Sequence, residues 1–444
     1  MIEGVLQWLH DTIIVLPLTF LLLATGIFLT YRLQVLQFSK LFFILRSTMG
    51  RFLTGPSGEA KGEVTPYQAL SAALAATVGT GNIAGVATAI VLGGPGAIFW
   101  MWVSGLLGMA TKFSEIVLAV HFRKKLGNGF AGGPMYYLRD GLRMPLLALL
   151  FSIFGAFAAF GIGNMVQANS VAEAVKATFG IPSFLTGLVL ALLGGFVILG
   201  GIKRIAMITS ALVPVMVLFY AAGCLYILTS YRAQIPGAFI QILTGAFGGR
   251  AALGGFAGAT LVQAWRFGIA RGIFTNEAGL GSASIAHAVA KTTHPARQGM
   301  LGIVEVFLDT HVICTMTALI LLVTGAWQSG LEGAAMTVEA FSIGLPGNLG
   351  RYIVTIGLVF FAFSTLLSWS YYGEKCIEFL LGSSSISYYR NLWIIFILIG
   401  SIGGVRTVWA VADIMNGLMA FPNLVGLVGL SGVTARLARE YFAS

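Results

Sequence analysis

The chain alternates between long apolar runs and short polar connections. A helix needs about 20 mostly apolar residues to cross a bilayer, and eleven runs meet that requirement. The predicted spans lie at 12–31, 67–91, 96–121, 146–178, 183–201, 205–229, 255–290, 300–325, 350–380, 390–404 and 406–437. The pattern predicts an all-α polytopic membrane protein with a single domain, and Pro422 is expected to divide the last run.

The composition indicates that the bilayer is the solvent for most of the surface. Of the 444 residues, 57% are hydrophobic and 9% are charged, whereas soluble domains carry about 25% charged residues. The net charge of +10 lies in connections between apolar runs, so topology explains it better than a nucleic-acid partner. Cys224, Cys314 and Cys376 stand inside apolar runs without paired spacing, which argues against disulfides or a metal cluster. The first run follows no basic region and is expected to be a retained helix.

The basic residues predict an orientation. Connections that face the cytoplasm are enriched in Lys and Arg. If the N-terminus is outside, the connection after the first span is cytoplasmic and holds Arg32, Lys40, Arg46, Arg51 and Lys61. Later cytoplasmic connections are also basic, and the opposite ones contain few basic residues. With eleven spans, the C-terminus is then cytoplasmic.

The second run is interrupted near its middle by Thr77, Gly79, Thr80, Gly81 and Asn82. A helix broken at membrane depth survives only where it lines a cavity or binds something. The restarting half would offer amides and the positive end of its dipole to a carboxylate. Carbonyls of the preceding half could hold a sodium ion. The alternative interpretation is a small-residue packing face between helices.

The seventh run is interrupted in the same way between 272 and 284. Glu277 stands there, and an ionisable group at this depth is costly and usually functional. It could instead be a structural counter-charge for Arg266 or Arg271. Two interrupted helices in corresponding halves are the sequence sign of an inverted-repeat transporter. We therefore predict repeats at 67–229 and 255–437 after an extra helix at 12–31.

The ninth run contributes oxygen atoms and an aromatic ring. Ser364 and Thr365 carry two hydroxyls close to the Phe361 carbonyl, and hard cations prefer oxygen ligands. Such hydroxyls also often bond back to their own helix. Trp369 lies one turn beyond Thr365 on the same face. It could form a pocket wall or pack as a core aromatic.

Other polar residues inside the runs leave alternatives open. The amide oxygen of Gln167 could accept the ammonium group of a substrate, or the side chain could bond to a neighbouring helix. Lys112 and Glu115 are expected to form an internal pair on one helix. Asp309 and His311 could relay protons, although structural pairing with Arg or Ser groups is the simpler expectation.

Several motifs, in order along the chain, resemble the alanine or glycine:cation symporter family, the sodium:alanine symporters. They are VGTGNIAGVATAI at 78–90, GGPGAIFWMW at 93–102, KFSEIVLAV at 112–120, GGPMYYL at 132–138, NEAGLGSASIAHA at 276–288 and SWSYYGEK at 368–375. The similarity covers residues 12 to 440. It places the chain in the amino acid–polyamine–organocation superfamily. This implies a five-plus-five inverted-repeat fold with discontinuous first and sixth repeat helices and one extra N-terminal helix.

A finer resemblance, to sodium-coupled neurotransmitter-type symporters, implies site residues. The V-G-x-G-N pattern at 78–82 implies that the amides of Thr80 and Gly81 receive the substrate carboxylate. The F-T-x-x-x-G-x-G pattern at 274–281 implies Phe274 as a lid and the Glu277 carbonyl region near the substrate ammonium. The expected substrate-binding residues are Thr80, Gly81, Gln167, Phe274, Thr275, Asn276, Glu277, Gly279 and Trp369. The expected sodium ligands are Ala75, Val78, Phe361, Ser364 and Thr365.

The chain departs from those symporters at one point. Their second sodium uses positions matching Thr77, Asn82 and Thr275, together with an asparagine from the following helix. Residues 300–325 hold Glu305, Asp309 and Thr310 but no asparagine. Thr77 and Asn82 are therefore a possible second ion site that lacks one ligand.

Together these features predict a secondary active transporter. It would couple sodium to a small neutral amino acid, alanine or glycine, by alternating access in the plasma membrane. The alternative is a proton-coupled amino acid transporter with Glu277, Asp309 or His311 as the relay. The sequence has no H-E-x-x-H motif and no evident nucleophile–base constellation, so no enzymatic activity and no organic cofactor are expected.

Overall fold

A computed structural model describes residues 16–49, 61–127, 129–247, 261–403 and 406–443. Within these ranges, seven helices are long and apolar enough to cross a membrane, and a bent helix pair provides an eighth candidate. The all-α membrane fold predicted from the sequence is confirmed. The starts of the predicted spans 12–31 and 255–290 lie outside the described residues.

Helices make up nearly all of the described chain. In chain order they are α1 (Leu16–Arg32), α2 (Leu36–Ser39), α3 (Leu41–Met49), α4 (Pro66–Thr77), α5 (Val86–Gly93), α6 (Ala97–His121), α7 (Pro134–Tyr136), α8 (Pro145–Ala158), α9 (Val166–Phe179), α10 (Ser183–Ile198), α11 (Gly201–Ser230), α12 (Ile235–Phe247), α13 (Leu261–Asn276), α14 (Ser282–Ala288), α15 (Pro295–Val306), α16 (Thr315–Val323), α17 (Gly333–Gly344), α18 (Leu349–Leu381), α19 (Ile386–Ile402), α20 (Arg406–Gly429) and α21 (Ser431–Ala443).

Shorter elements connect or interrupt these helices. A two-stranded antiparallel hairpin pairs β1 (Lys124–Leu126) with β2 (Gly129–Ala131). The 3₁₀ turns are Arg232–Gln234, Ala326–Gln328 and Ser383–Ser385. The π-helical segments are Gly81–Gly85, Tyr137–Gly141, Ala159–Met165 and Phe307–Cys314.

Three of the π-helical segments lie inside spans near the centre of the bundle. Ala159–Met165 joins α8 to α9, Phe307–Cys314 joins α15 to α16, and Gly81–Gly85 opens the second half of the bent pair. A π-helical turn widens the helix by one residue and is often found at functional sites. Each of these three segments contributes residues to the region where the broken helices meet.

Local sequence explains where the first broken helix begins. Thr65 and Gln68 form a capping box, in which each side chain accepts a hydrogen bond from the other residue's backbone amide. Pro66 follows at the first helical position, where its missing N–H costs nothing. These residues fix the start of α4 before the apolar run.

The last predicted span differs from the structure at its end. Helix α20 continues through Pro422 to Gly429, and a separate helix α21 begins at Ser431. The expected division at Pro422 is therefore wrong. A proline inside a transmembrane helix is tolerated because neighbouring groups can satisfy the freed carbonyl. The break falls instead at Leu430, after Gly429.

Small residues bring the spans close together. A Cβ atom built on Gly161 would lie 2.2 Å from the Cβ atom of Ala412, and one built on Gly163 would lie 2.3 Å from that of Trp369. These positions admit only glycine without movement of the neighbouring helix. Glycine contacts of this kind let transmembrane helices approach closely enough for extensive packing.

Candidate transport site

The first broken helix has the interruption that the sequence predicts. Helix α4 ends at Thr77, the chain restarts at Gly81, and the two halves are bent by 48°. The intervening residues 78–80 are the first break. Because the second half begins here, its first amides have no acceptor within the helix. Thr80 and Gly81 both line a cavity.

The first break frees a carbonyl that the neighbouring span then uses. In a continuous helix the amide of Gly79 would donate to the Ala75 carbonyl. Here it donates to Oδ1 of Asn82 at 2.8 Å. The Ala75 carbonyl is instead within 3.1 Å of the hydroxyls of both Ser364 and Thr365. Opening the helix has therefore moved this oxygen from the helical ladder to a cross-helix cluster.

The cluster contains four of the five expected sodium ligands. Both hydroxyls also lie 2.9 Å from the Phe361 carbonyl. The two hydroxyls and the carbonyls of Ala75 and Phe361 thus form a compact, buried group of oxygen atoms, here called the oxygen cluster. No carboxylate belongs to it, which suits a monovalent cation. Val78 donates its amide to Leu74, and a role for its carbonyl stays a prediction.

A chain of polar side chains joins the first break to the second. Asn82 Nδ2 donates to Asp309 Oδ1 at 2.7 Å, and Asp309 Oδ2 accepts from Thr310 Oγ1 at 2.9 Å. Thr310 Oγ1 accepts in turn from Asn276 Nδ2 at 3.1 Å. Asp309 is fully buried, and it bonds to Asn82 and Thr310 rather than to Arg or Ser. The expected pairing partners were therefore wrong.

The possible second ion site has a different environment from the one expected. The hydroxyl of Thr77 points to carbonyls of its own helix, at Ala73 and Leu74, while Asn82 bonds to Asp309. Thr275 Oγ1 likewise donates within its own helix, to Gly272. An ion site at Thr77 and Asn82 stays a prediction.

The second broken helix separates α13, which ends at Asn276, from α14, which begins at Ser282. Residues 277–281 are the second break. Glu277, Gly279 and Gly281 all have positive φ angles, of 54°, 97° and 81°. For a glutamate this conformation is uncommon, and the contacts of its carboxylate fix it. One oxygen accepts from Ser282 at 2.6 Å and the other from the Trp369 ring at 3.0 Å.

These bonds decide between the alternatives for Glu277. Its carboxylate is bound by Ser282 and Trp369, so the interpretation as a counter-charge for Arg266 or Arg271 is wrong. Arg271 lies instead with its guanidinium 5.8 Å from the centre of the Phe274 ring. Trp369, held by Glu277 on one side and packed on Gly163 on the other, connects α18 to the second break.

Glu115 satisfies the backbone of the second break. Its Oε1 accepts from the amides of Gly279 at 2.9 Å and Gly281 at 3.0 Å, and from Asn423 Nδ2 at 2.7 Å. Asn423 also donates to the Gly279 carbonyl at 2.8 Å. The expected pair of Glu115 with Lys112 is wrong, because Lys112 Nζ lies 3.2 Å from Glu305 Oε1.

Behind the break, Glu305 is shared between two basic side chains. Its second oxygen lies 3.2 Å from Nε2 of His287, whose Nδ1 contacts Gln298 at 2.7 Å. Lys112, His287 and Glu305 are all fully buried. A buried charge is tolerated only when it is paired and hydrogen-bonded. This group ties α14, α6 and α15 together.

The remaining expected substrate residues lie around the same region. Gln167 donates its amide nitrogen to the Ile162 carbonyl at 3.0 Å, and its buried Oε1 has no hydrogen-bond partner. Asn276 Oδ1 accepts from the amide of Ala278, which holds the end of α13. A Cβ atom built on Gly81 would lie 2.8 Å from Thr275 and 3.4 Å from Phe274. The start of the second half of the first broken helix therefore contacts the last turn of α13 directly.

A cavity of about 690 Å³ reaches this region from one end of the bundle. Thr80, Gly81 and Phe274 lie among its lining residues. Its charged lining residues are Glu173, Arg271, Glu339, Arg351 and Asp413. The end of the bundle that carries this cavity is here called the cavity side.

The opposite end is closed by a set of contacts here called the latch. It joins residues 61–64, which lead into α4, to residues 288–291, which follow α14. Arg123 donates three hydrogen bonds of 2.8–2.9 Å to carbonyls of these segments, at Lys61, Ala288 and Ala290. Three backbone bonds complete the latch, from the amides of Glu63 and Val64 to the Val289 carbonyl and from the Lys291 amide to the Val64 carbonyl. Both broken helices are thereby fixed to each other at this end.

Comparisons with known proteins agree with this architecture. The model of the sodium:alanine symporter family matches residues 1–444. The sodium/alanine symporter AgcS of Methanococcus maripaludis is 50% identical over 430 residues, which cover 95% of this chain and 93% of that protein. The probable sodium/glutamine symporter GlnT of Bacillus subtilis is 39% identical, with 95% and 87% covered.

A solved structure supports the fold. The crystal structure of MhsT in complex with L-phenylalanine superposes with a TM-score of 0.61 at 12% identity, and the match covers 87% of this chain and 99% of that one. The five-plus-five inverted-repeat fold with two discontinuous helices is confirmed. At this identity the likeness speaks for the fold alone.

The family model and the relative AgcS identify a membrane transporter of the cation-coupled amino acid type rather than an enzyme. The chain belongs to the sodium:alanine symporter family.

Sequence reasoning missed several residues that organise the breaks. From the sequence, no partner was predicted for Asn423, Glu305 or His287, and the partner predicted for Glu115 was wrong. Each stands inside an apolar run, which marks it as costly to bury and in need of a partner. That signal identifies the residue but does not say which of the other spans supplies the partner.

We expect Glu115→Ala to destabilise the protein and weaken amino acid binding. The substitution leaves the amides of Gly279 and Gly281 and the side chain of Asn423 without their shared acceptor. Each buried group left unsatisfied costs about 1–3 kcal/mol. Thermal unfolding in detergent, with and without amino acid, measures both effects.

The matched control is Glu440→Ala. Glu440 is about half exposed and lies 3.8 Å from Arg436, an arrangement that contributes little to stability. Equal melting temperatures for the two variants would contradict the role assigned to Glu115.

Proposed function

We propose that the chain is a sodium-coupled symporter of a small neutral amino acid, alanine or glycine, that works by alternating access. Membership of the family supports cation-coupled amino acid transport. The observation that carries the choice of sodium is the oxygen cluster, in which Ser364 and Thr365 meet the carbonyl that the first break frees. Unwound carbonyls at half-helix ends hold coupling ions in transporters of this architecture.

In this proposal the amino acid binds between the two breaks. Its carboxylate accepts from the amides of Thr80 and Gly81, at the positive end of the restarting half-helix. Its ammonium faces the second break near Glu277 and the unpartnered Oε1 of Gln167. Phe274 lies beside Gly81 and acts as the lid on the cavity side.

The pocket walls support a small substrate. The Trp369 side chain is bonded to Glu277 and packed on Gly163. A large ring fixed on two sides beside Glu277 is a rigid neighbour for a substrate whose ammonium faces the second break. Among the relatives, the printed names include both alanine and glutamine as substrates. The tightly held tryptophan is our reason for proposing the smaller one.

The two ends of the bundle support the proposal of alternating access. The cavity side is open to the site, and the latch closes the other side. Sodium at the oxygen cluster would tie α4 to α18 and order the first break for the carboxylate. Opening of the latch and closure at Phe274 would then release both solutes on the other side.

We expect purified protein in proteoliposomes to accumulate labelled alanine under an inward sodium gradient and not under a matched potassium gradient. In the same assay, Thr365→Ala removes one oxygen from the cluster. A lost hydrogen-bonding group costs about 1–2 kcal/mol, so the sodium concentration for half-maximal uptake should rise roughly tenfold.

Thr229→Ala is the matched control, because Thr229 is exposed and bonds only within its own helix. Competition by unlabelled glycine, alanine and glutamine ranks the substrates. Unchanged sodium activation in the Thr365 variant would rule out the oxygen cluster as the sodium site. Absence of uptake under every gradient would contradict the proposed transport of alanine.

Proton coupling is the second candidate, and the position of Asp309 favours it over the other possible relays. This fully buried carboxylate bridges the two breaks through Asn82 and Thr310. Both of these partners are neutral. Glu277 is instead fixed by Ser282 and Trp369, and His311 contacts the Trp102 carbonyl.

The two candidates predict different results for Asp309→Asn, which keeps the shape but removes the charge. Under sodium coupling, the wild type shows no accumulation driven by a proton gradient alone, and the variant keeps its dependence on sodium. Uptake driven by protons in the wild type and lost in the variant would favour Asp309 as the coupling site. Sodium dependence and proton dependence are both measured as alanine uptake at several external pH values, with and without sodium.

We further propose that the protein resides in the plasma membrane with its N-terminus outside. The distribution of Lys and Arg places the latch on the cytoplasmic side. Ser329 is exposed on the cavity side and Ser383 on the latch side.

Single Ser329→Cys and Ser383→Cys variants test this orientation. A membrane-impermeant maleimide added to intact cells should label the first and not the second, and permeabilised cells should label both. The three native cysteines are buried, which keeps the background low. The reverse labelling pattern would invert the topology.

A further inference from the structure

Helix α1 lies outside both predicted repeats, yet it reaches the centre of the transport machinery. We propose that α1 is a working part of the transporter, in which Leu22 is a positioning residue for the second break. The inference rests on the proposed function for its transport readout. It is carried by the contact between Leu22 and Gly279.

One stripe of α1 faces the bundle. Leu22 and Leu29 are seven residues apart, two helical turns, and are 6% and 0% exposed. The opposite stripe, which includes Leu21 and Ile27, is exposed and apolar. A helix with one buried and one exposed apolar face in a membrane protein packs inward on one side and meets lipid on the other.

Leu22 contacts the second break where that break has no side chain. A Cβ atom built on Gly279 would lie 2.1 Å from Cδ2 of Leu22 and 3.5 Å from Cδ2 of Leu424. Gly279 has φ of +97°, a conformation that side-chain-bearing residues rarely adopt. The leucine therefore fills the space next to a backbone position that cannot fill it itself.

The other contacts of Gly279 come from the helices of the bundle. Its amide donates to Glu115, and its carbonyl accepts from Asn423. Leu22 comes from the helix that separates these groups from the lipid. Irregular backbone does not occur where it meets lipid within the hydrocarbon region. Without Leu22, lipid or water could reach the hydrogen bonds that hold the break.

Helix α1 is fixed to the same span that carries Glu115. A Cβ atom built on Gly26 would lie 3.0 Å from that of Leu107 in α6. Near the end of α1, Gln37 of α2 donates to the hydroxyl of Thr30 at 2.7 Å and to the carbonyl of Leu106 at 3.4 Å. Leu22 and Glu115 are thus held on one rigid pair of helices, and together they enclose the second break from two directions.

This arrangement predicts a selective effect on transport. Leu22 touches the break that faces the substrate ammonium and lies apart from the oxygen cluster on α4 and α18. We expect Leu22→Ala to raise KM for alanine by about threefold to thirtyfold, the range typical of side chains in a packed coupling network. The sodium concentration for half-maximal uptake should stay within about twofold, because the ion ligands are not touched.

A structural readout that does not depend on transport accompanies this assay. Hydrogen–deuterium exchange of a peptide covering residues 274–284 reports on the amides of Gly279 and Gly281. We expect faster exchange in Leu22→Ala than in the wild type, with other spans unchanged. Leu22→Met, which conserves volume, should restore both exchange and KM. If Leu22→Ala folds poorly, the milder Leu22→Val is measured instead.

Leu21→Ala is the matched control on the lipid-facing stripe, where Leu21 is 42% exposed. Equal effects of the Leu21 and Leu22 substitutions would overturn the proposal, because they would reflect general loosening of α1. Unchanged exchange and unchanged KM in Leu22→Ala would also overturn it. If the wild type does not transport alanine, the proposed function fails, and the exchange experiment still decides the role of Leu22.

Discussion

The structure depends on one constraint: backbone that leaves the helical ladder inside a bilayer must find other hydrogen-bond partners. Two helices break inside this bundle, and each break frees amides and carbonyls from the helical ladder. An unsatisfied group in that environment costs several kcal/mol. The side chains that supply the partners are therefore as much a part of each broken helix as its own residues.

The two breaks meet this constraint with different chemistry. At the first break the Ala75 carbonyl turns to two neutral hydroxyls, and the Gly79 amide turns to the side chain of Asn82. A neutral hydroxyl or carbonyl can give up such a hydrogen bond and coordinate a cation without leaving an unpaired charge behind. At the second break Glu115 accepts two amides, and Glu277 accepts from Ser282 and Trp369. Glu115 alone accepts two backbone amides of the second break, so a single side chain holds that break at two points.

The sequence predicts the elements of this fold well, because each depends on local signals. Apolar runs long enough to cross a bilayer predict the spans. Glycines and polar residues in the middle of a run predict both breaks. Ser364 and Thr365 were paired with the first break through a resemblance, and the structure brings them to the Ala75 carbonyl. The bounds of α20 were harder to predict, because a proline in a membrane helix is tolerated when neighbours satisfy the freed carbonyl.

Partners between distant spans could not be predicted from one sequence. Glu115 and Lys112 are three residues apart, so local spacing favours an internal pair. Their actual partners come from the second break, α15 and α20 and depend on the rotation of each helix in the bundle. For the same reason, the sequence does not predict that Asp309 lies between the two breaks. The apolar residues around a polar one in the sequence show that its burial is costly. Which residue becomes its partner depends on three-dimensional packing.

The latch bears on the energy balance of the proposed alternating-access cycle. Its six hydrogen bonds join segments at the end of the bundle, where water can replace them as they open. A hydrogen bond exchanged with water is worth about 0.5–1.5 kcal/mol, and one to a charged group about 1.5–3. The whole latch then amounts to several kcal/mol. A shift between two states from 1:99 to 99:1 needs about 5.5 kcal/mol. In the proposed cycle, the free energy gained on binding sodium and the amino acid would have to offset a latch of this size before the closed end can open.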